Sequence, residues 1–253
     1  MRYYARKTTK SKKSTRKYVR KPSKAVKTIV KNEIKRSIKR NIETKHTGND
    51  PATYVWASQN NVMSDPVTLS DAFDLYSGSE DGERVGNIIN VTKAILNVNI
   101  VANVGATYPV IMTIFIGYLK RNRGTAPTAG QLASIFQDGG GTTDYNGSTL
   151  NLLRNVNREL FTIAGRYDIK VSEARVNQGT NWSNNDFPLF VNKKINLKSM
   201  LGKTIYTADT ATGHNKELFM WCSYCGVGST TNIYSNVSAP IFNYYVEGEY
   251  TDQ

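Results

Sequence analysis

Residues 96–104 read LNVNIVANV, and their side chains alternate in character. Leu96, Val98, Ile100, Ala102 and Val104 fall on one side, Asn97, Asn99 and Asn103 on the other, and Val101 is the exception. A helix repeats every 3.6 residues and cannot gather that set on one face. An extended strand does so because successive side chains point to opposite faces. The next segment, YPVIMTIFIGYL at 108–119, is apolar at both parities, as suits a strand covered on both sides. At twelve residues it is too short to cross a bilayer as a helix, and no membrane insertion is expected.

The same reading predicts strands at 158–164, 167–176, 187–197, 216–225 and 241–250. In the last, Phe242, Tyr244, Val246 and Tyr250 alternate with Asn243, Glu247 and Glu249. Turn-rich stretches at 139–147, 177–186, 209–215 and 226–232 separate these segments. One short helix is expected at 127–137, where Pro127 suits the first turn and Leu132, Ile135 and Phe136 share a face. Many strands, long connections and almost no helix imply an all-β, two-sheet sandwich. A jelly roll accommodates such connections because its strands cross between sheets, whereas an immunoglobulin-type sandwich would want an inter-sheet cysteine pair.

The charge is segregated. Residues 1–45 carry 18 Lys and Arg against two acids, whereas residues 46–253 carry 15 against 18. A cationic segment of net +16 therefore precedes a body of net −3. A body that met nucleic acid through its folded surface would show basic residues spread along the chain. The expectation is that the segment, not the body, is the electrostatic element.

That segment has two parts. Residues 1–23 mix cations with Ser, Thr and Tyr and hold too little apolar surface to repay ordering, so they are expected to be a disordered arm. Its nucleic-acid-binding candidates are Arg2, Tyr3, Tyr4, Arg6, Lys7, Lys10, Lys12, Lys13, Arg16, Lys17, Tyr18, Arg20 and Lys21. The cations neutralise phosphates without reading sequence, and the tyrosines stack on unpaired bases. The same basic cluster suits a nuclear localisation signal read by nuclear import factors.

Residues 24–45 are expected to form a basic amphipathic helix and linker ahead of a body at 46–253. Val26, Ile29, Val30, Ile34, Ile38 and Ile42 recur in steps of three and four, with Lys24, Lys27, Lys31, Lys35, Arg36, Lys39 and Arg40 around them. Ser23, after Pro22, is placed to cap the start. The stripe is read as a self-association face and the cations as further phosphate contacts. A helix packed on its own domain, or on a membrane surface, is the plainer reading.

No catalytic constellation emerges. The Cys222-x-x-Cys225 pair lies in a strand pattern, where an offset of three sends the thiols to opposite faces. With only His46 and His214 besides, neither a zinc site nor a Ser/His/Asp arrangement has material. The Gly-Lys-Thr at 202–204 has Leu197 where a phosphate loop needs glycine, and GVGSTT at 226–231 ends in Thr231 where a dinucleotide fingerprint needs another. The acids Glu80, Asp81 and Glu83, and the pair Glu247 and Glu249, read as solvated rim charges that could hold Ca²⁺ between subunits. No other cofactor is expected. No apolar leader follows the basic start, so the four Asn-x-Ser/Thr sequons are set aside and the chain reads as a soluble, cytosolic product.

The segment GYLKRNRGTAPTAGQLASIF at 117–136 carries Arg123, Gly124, Thr125, Pro127 and Thr128 in an Arg-Gly-Thr-x-Pro-Thr stretch that leads into a short helix. GSEDGERVGNIINVTKAILNVNI at 78–100 centres on Arg84, Val85 and Gly86, RELFTIAGRYDIKV spans 158–171, and the chain closes on EGEYTDQ. In this order along the chain, these segments resemble coat proteins of small icosahedral viruses. They look like segments of the coat protein of satellite tobacco necrosis virus, and the same pattern is found in coat proteins of circular, replication-protein-encoding (circovirus-like) single-stranded DNA viruses. The stretches at 139–147, 177–186 and 209–215 look like insertions relative to the satellite protein. The resemblance implies an eight-stranded jelly roll in two four-stranded sheets, a T=1-like shell of about sixty copies with closed symmetry, and an arm pointing inward to a single-stranded genome. It implies a virion protein that passes through host cytoplasm and nucleus, and it favours DNA over RNA.

Two other readings stay open at this point. One is a non-viral chromatin- or ribosome-associated protein with a β-sandwich body, which would not need to self-associate. The other is a carbohydrate-binding sandwich that meets glycans through Trp182 and tyrosines.

Overall fold

In the computed structural model, which describes residues 23–41, 43–54, 66–103, 109–121, 123, 125–136, 149–172, 190–206, 217–227 and 239–252, the alternating segments are strands. The chain divides into two units, residues 1–42 and 43–253. In the second unit the strands are, in chain order, β1 (Lys45–Gly48), β2 (Ala52–Tyr54), β3 (Val67–Thr68), β4 (Tyr76–Ser77), β5 (Glu83–Arg84) and β6 (Ile88–Val101). They continue with β7 (Val110–Leu119), β8 (Phe161–Val171), β9 (Phe190–Asn196), β10 (Lys203–Ile205), β11 (Phe219–Gly226) and β12 (Ile241–Asp252).

One sheet runs β3-β11-β7-β8. The other has six strands but is only four positions wide. The long β12 pairs β1 and then β2 along one edge, and the long β6 pairs β9 and β10 along the other. Leaving aside the small parallel pair β4–β5, the chain changes sheet at each connection from β2 to β3, β3 to β6 and β6 to β7, and again from β8 to β9, β10 to β11 and β11 to β12. Only β7 and β8 are consecutive neighbours across the sheets' eight positions. That alternation is the double Greek key of a jelly roll.

The main core lies between the sheets. Leu96, Val98, Ile100, Phe242 and Val246 from one sheet meet Met112, Ile114, Ile116, Met220, Cys222 and Tyr224 from the other. Burial pushes the Cys222 thiol well above its ordinary pKa, which leaves it a protonated core side chain. Cys225 sits in the same strand with its Sγ 3.6 Å from the Ile111 carbonyl and is also buried, so both thiols are packing groups.

The second sheet is covered on its outer face too. Thr128 caps the helix α2 (Ala129–Ala133) through a capping box, accepting from the Gln131 amide at 3.3 Å while its own N–H donates to Gln131 Oε1 at 2.9 Å. This sets Leu132, Ile135 and Phe136 over Phe115, Leu119, Phe161, Phe219 and Trp221. Phe115 stacks on Trp221 at 5.8 Å between centroids. The double-sided apolar character of 108–119 thus has its cause: Ile114 and Ile116 face one core, Phe115 and Leu119 the other.

Three expectations need correction. The two strands expected at 158–164 and 167–176 are one strand, β8. Gly165 pairs with Ile116 and Ile163 with Gly117, so Ala164 is an extra residue, a bulge that reverses the facing of everything after it. Phe161 and Ile163 therefore face the outer cluster while Tyr167, Ile169 and Val171, of the same parity, face the main core. Likewise β6 begins at Ile88 rather than at 96, because Val91 pairs with Tyr250 and Lys93 with Glu249, which leaves Thr92 as a second extra residue. Ile89 and Val91 point inward at odd positions, Ala94 and Leu96 at even ones. The short helix covers Ala129–Ala133 rather than 127–137, with Thr128 outside it as the cap.

The 70–87 segment closes one end of the sandwich around a buried guanidinium. Arg84 is 1% exposed, donates from Nε to the Leu75 carbonyl at 3.1 Å, and from Nη1 to the Gly86 carbonyl at 2.9 Å and Asn87 Oδ1 at 3.0 Å. Its Cζ lies 4.6 Å above the Tyr206 ring. The Tyr206 hydroxyl donates to the Phe73 carbonyl and the Tyr250 hydroxyl to the Glu83 carbonyl. Burial raises both phenols, Tyr250 to about 12, so both remain donors at neutral pH. Lys45 Nζ reaches the same Glu83 carbonyl at 3.1 Å and Asp252 at 3.4 Å. Among the described residues no helix is long and apolar enough to cross a membrane.

Candidate nucleic-acid interface

Among the described residues of the first unit is one helix, α1 (Lys24–Asn41). Ser23 caps it, its Oγ accepting from the Val26 amide at 3.3 Å. Val26, Ile29, Val30 and Ile34 are 47, 62, 49 and 53% exposed, and Lys24, Lys27 and Lys31 are exposed beside them. Four β-branched residues on one stripe lower helix propensity, and an 18-residue helix in water is marginal without a partner for such a stripe. Lys35, Arg36, Ile38, Lys39 and Arg40 belong to the helical backbone, and their side chains lie outside the described residues. The arm positions from Arg2 to Lys21, and Ile42, lie outside them as well, as does Trp182.

The body holds a second concentration of cations, which the sequence reading missed. Lys120 follows β7, Arg154 and Arg158 lie on the segment that returns toward β8, and Arg166 is on β8 itself. These four line one cleft of about 780 Å³, with Asn155 and Thr162, over a floor that includes Val156, Phe161 and Ile163. No carboxylate is among the described residues that line it. The returning segment is pinned by Asn157, whose N–H donates to the Ile135 carbonyl at 2.6 Å and whose Nδ2 donates to the Ser134 carbonyl at 3.3 Å.

Among the described contacts, main-chain carbonyls, ring faces and one carboxylate hold Lys120, Arg154 and Arg166. Arg166 donates from Nη1 to the Arg154 carbonyl at 3.3 Å and from Nη2 to the Leu152 carbonyl at 3.1 Å, with its Cζ 5.6 Å above the Phe115 ring. Arg154 lies 4.7 Å above the Phe136 ring, and Lys120 Nζ donates to the Arg158 carbonyl at 3.3 Å. Among the described residues Asp168 forms an ion pair with Arg166, its Oδ1 standing 3.5 Å from Arg166 Nε while also accepting from Thr113 at 2.7 Å. The Ala164 bulge decides the arrangement. In an unbroken strand Arg166 would share a face with Thr162 and Ala164, away from Phe161 and Ile163. The extra residue turns it to the outer side.

The remaining candidates are engaged elsewhere. Glu247 and Glu249 each lie 3.4 Å from Lys93 Nζ, and their hydrogen bonds and charge raise the Lys93 pKa, Glu249 contributing most. Glu83 accepts from the Glu80 amide at 2.9 Å. Among the described residues no group of three or more His, Cys, Asp or Glu is placed to hold a metal ion. Asn97 and Asn99 face outward as the alternation required. Asn99 joins a cross-sheet amide row, donating to Asn192 at 2.7 Å and accepting from Asn243 at 3.2 Å.

No family model matches the sequence, and no curated protein matches it. A solved chain of desmodium yellow mottle tymovirus aligns over 83% of this chain and 88% of its own, at 10% identity and a TM-score of 0.34. A likeness at that score carries no argument about fold or role.

Proposed function

We propose that this chain is the structural coat protein of a small icosahedral virus, its body assembling into a closed T=1-like shell of about sixty copies. Residues 1–45 would bind a single-stranded genome inside, DNA in preference to RNA, with Arg2 to Lys21 and the cations of α1 as the contacts. The observation that carries the reading is the division of labour along the chain: a cationic unit of net +16 precedes a separate jelly-roll unit of net −3. A genome inside a shell and neighbours around it make those two demands on one subunit. Sixty such segments supply roughly a thousand positive charges, the scale of a genome of about a kilobase, with no sequence preference. The apolar stripe of α1 gives copies of the helix a face to share. On this reading the protein belongs to the virion, is made in the host cytoplasm and reaches the nucleus through import factors that read the basic arm. No catalytic step and no cofactor enter the account.

The test is the salt dependence of binding to a single-stranded oligonucleotide. With about ten cations engaged per segment, log affinity falls against log salt with a slope of about −7. Replacing Arg2, Arg6, Lys7, Lys10, Lys12 and Lys13 with Gln moves that slope toward zero by about 4. A native slope near −1 or −2 would contradict the proposal.

A further inference from the structure

We infer that the hollow on the outer face of the six-stranded sheet, at Asn97, Asn192, Lys194 and Tyr245, binds a glycan through a terminal sugar ring that carries a carboxylate. The inference goes beyond the packaging reading and does not depend on it. Strands β12, β6 and β9 lie side by side here, and their register sets outward residues in rows. One row runs Asn243, Asn99, Asn192, and the next runs Tyr245, Asn97, Lys194. Among the described residues, these two rows and Pro51 line a hollow of about 420 Å³, within the size range of small-ligand sites.

The first row is a hydrogen-bonded ladder that starts from β2. Thr53 Oγ1 donates to Asn243 Oδ1 at 2.8 Å, Asn243 Nδ2 to Asn99 Oδ1 at 3.2 Å, and Asn99 Nδ2 to Asn192 Oδ1 at 2.7 Å. Each bond fixes the plane of the next amide. A carboxamide has two N–H groups and two lone pairs, and Asn99 spends one of each in the ladder. The row thus presents donors beside acceptors, repeated from strand to strand at about 4.8 Å. A sugar hydroxyl, which both donates and accepts, matches that array. A phosphate chain would leave its acceptors unused, and a hydrocarbon would leave every amide unpaired.

The second row supplies the other contacts. Tyr245 brings a flat ring with a polar tip, which suits the C–H face of a pyranose and a hydroxyl at its edge. Lys194, exposed on β9, sets a compact ammonium in the lining, and a carboxylate on the ring answers it. Between these two, Asn97 Nδ2 is buried without an acceptor, and a ligand oxygen seated in the row is the acceptor it lacks.

Saturation-transfer NMR on the full-length protein tests this. The probes are 3′-sialyllactose, a hyaluronan tetrasaccharide ending in glucuronate, and lactose. Transfer is expected to the carboxylated ring of at least one acidic probe, and the one that responds names the source of that ring. Lactose, which lacks the carboxylate, is expected to bind about tenfold more weakly. Lys194→Gln removes a charge at an exposed position and should weaken the acidic probe by the same factor, about tenfold. Lys198→Gln removes equal charge from an exposed position outside the two rows and should leave binding unchanged. Equal binding of lactose and the acidic probes, or equal loss in the two variants, overturns the inference. So does an absence of transfer to every probe, the result expected if a neighbouring copy covers this face.

Discussion

A guanidinium at 1% exposure is an unusual residue to bury in a β-sandwich, and Arg84 shows what makes it tolerable. Its donors satisfy the carbonyls of Leu75 and Gly86 and the amide of Asn87, three acceptors that the 70–87 segment would otherwise leave unpaired at the end of the core. Replacing Arg84 with Met keeps much of the volume and removes every donor. The expected loss is about 3 kcal/mol, since each buried acceptor left unpaired costs about 1–3. The urea unfolding midpoint measures it, and a change under about 0.5 kcal/mol would show that water takes over those acceptors. The sequence marked Arg84 only as the centre of a Gly/Asp-rich stretch. Its burial depends on Tyr206 and Leu75, which periodicity cannot bring together. The cleft was hidden for the same reason. Its cations are spread over residues 120–166, and net charge averages them against acids that the fold places elsewhere.

At the scale of elements, the alternation signal was legible wherever a strand ran without interruption, and it failed at two single residues. Thr92 and Ala164 each reset the phase, so one long strand seemed to start late and another seemed to be two. A bulge leaves no compositional trace as plain as Pro or a run of Gly, and it becomes visible only through its partner strand. Gly117 shows how tight that partnering is. A Cβ there would stand 2.3 Å from the Thr162 carbonyl oxygen, backbone against backbone, at the point where the register slips. The short strands β1, β2, β3 and β10 were invisible because two to four residues cannot establish a period. Helix α1 makes a different prediction. Replacing Ile34 and Ile38 with Asp removes two members of the three-four stripe, and should lower the yield of particles while the body unfolds at its native urea midpoint. Particles formed in native yield by that variant would show that the stripe is not an assembly contact.

For the whole molecule the decisive feature is that charge and fold are divided between two parts of one chain. The all-β class and the sandwich could be read from residues 96–119 and 241–250, because a two-layer packing imposes its period on every long strand. The jelly-roll order could not, since it rests on which strands pair across long connections, a fact of topology rather than of local pattern. A basic segment tied to such a body has a use if many bodies close around what the segments hold. Sedimentation velocity of the purified full-length protein, recorded at 260 and 280 nm together, tests that claim most directly. The account predicts a sharp, fast boundary of megadalton size with excess absorbance at 260 nm, the signature of a filled shell. A slow boundary near 28.2 kDa that does not move when single-stranded nucleic acid is added at low salt would contradict it.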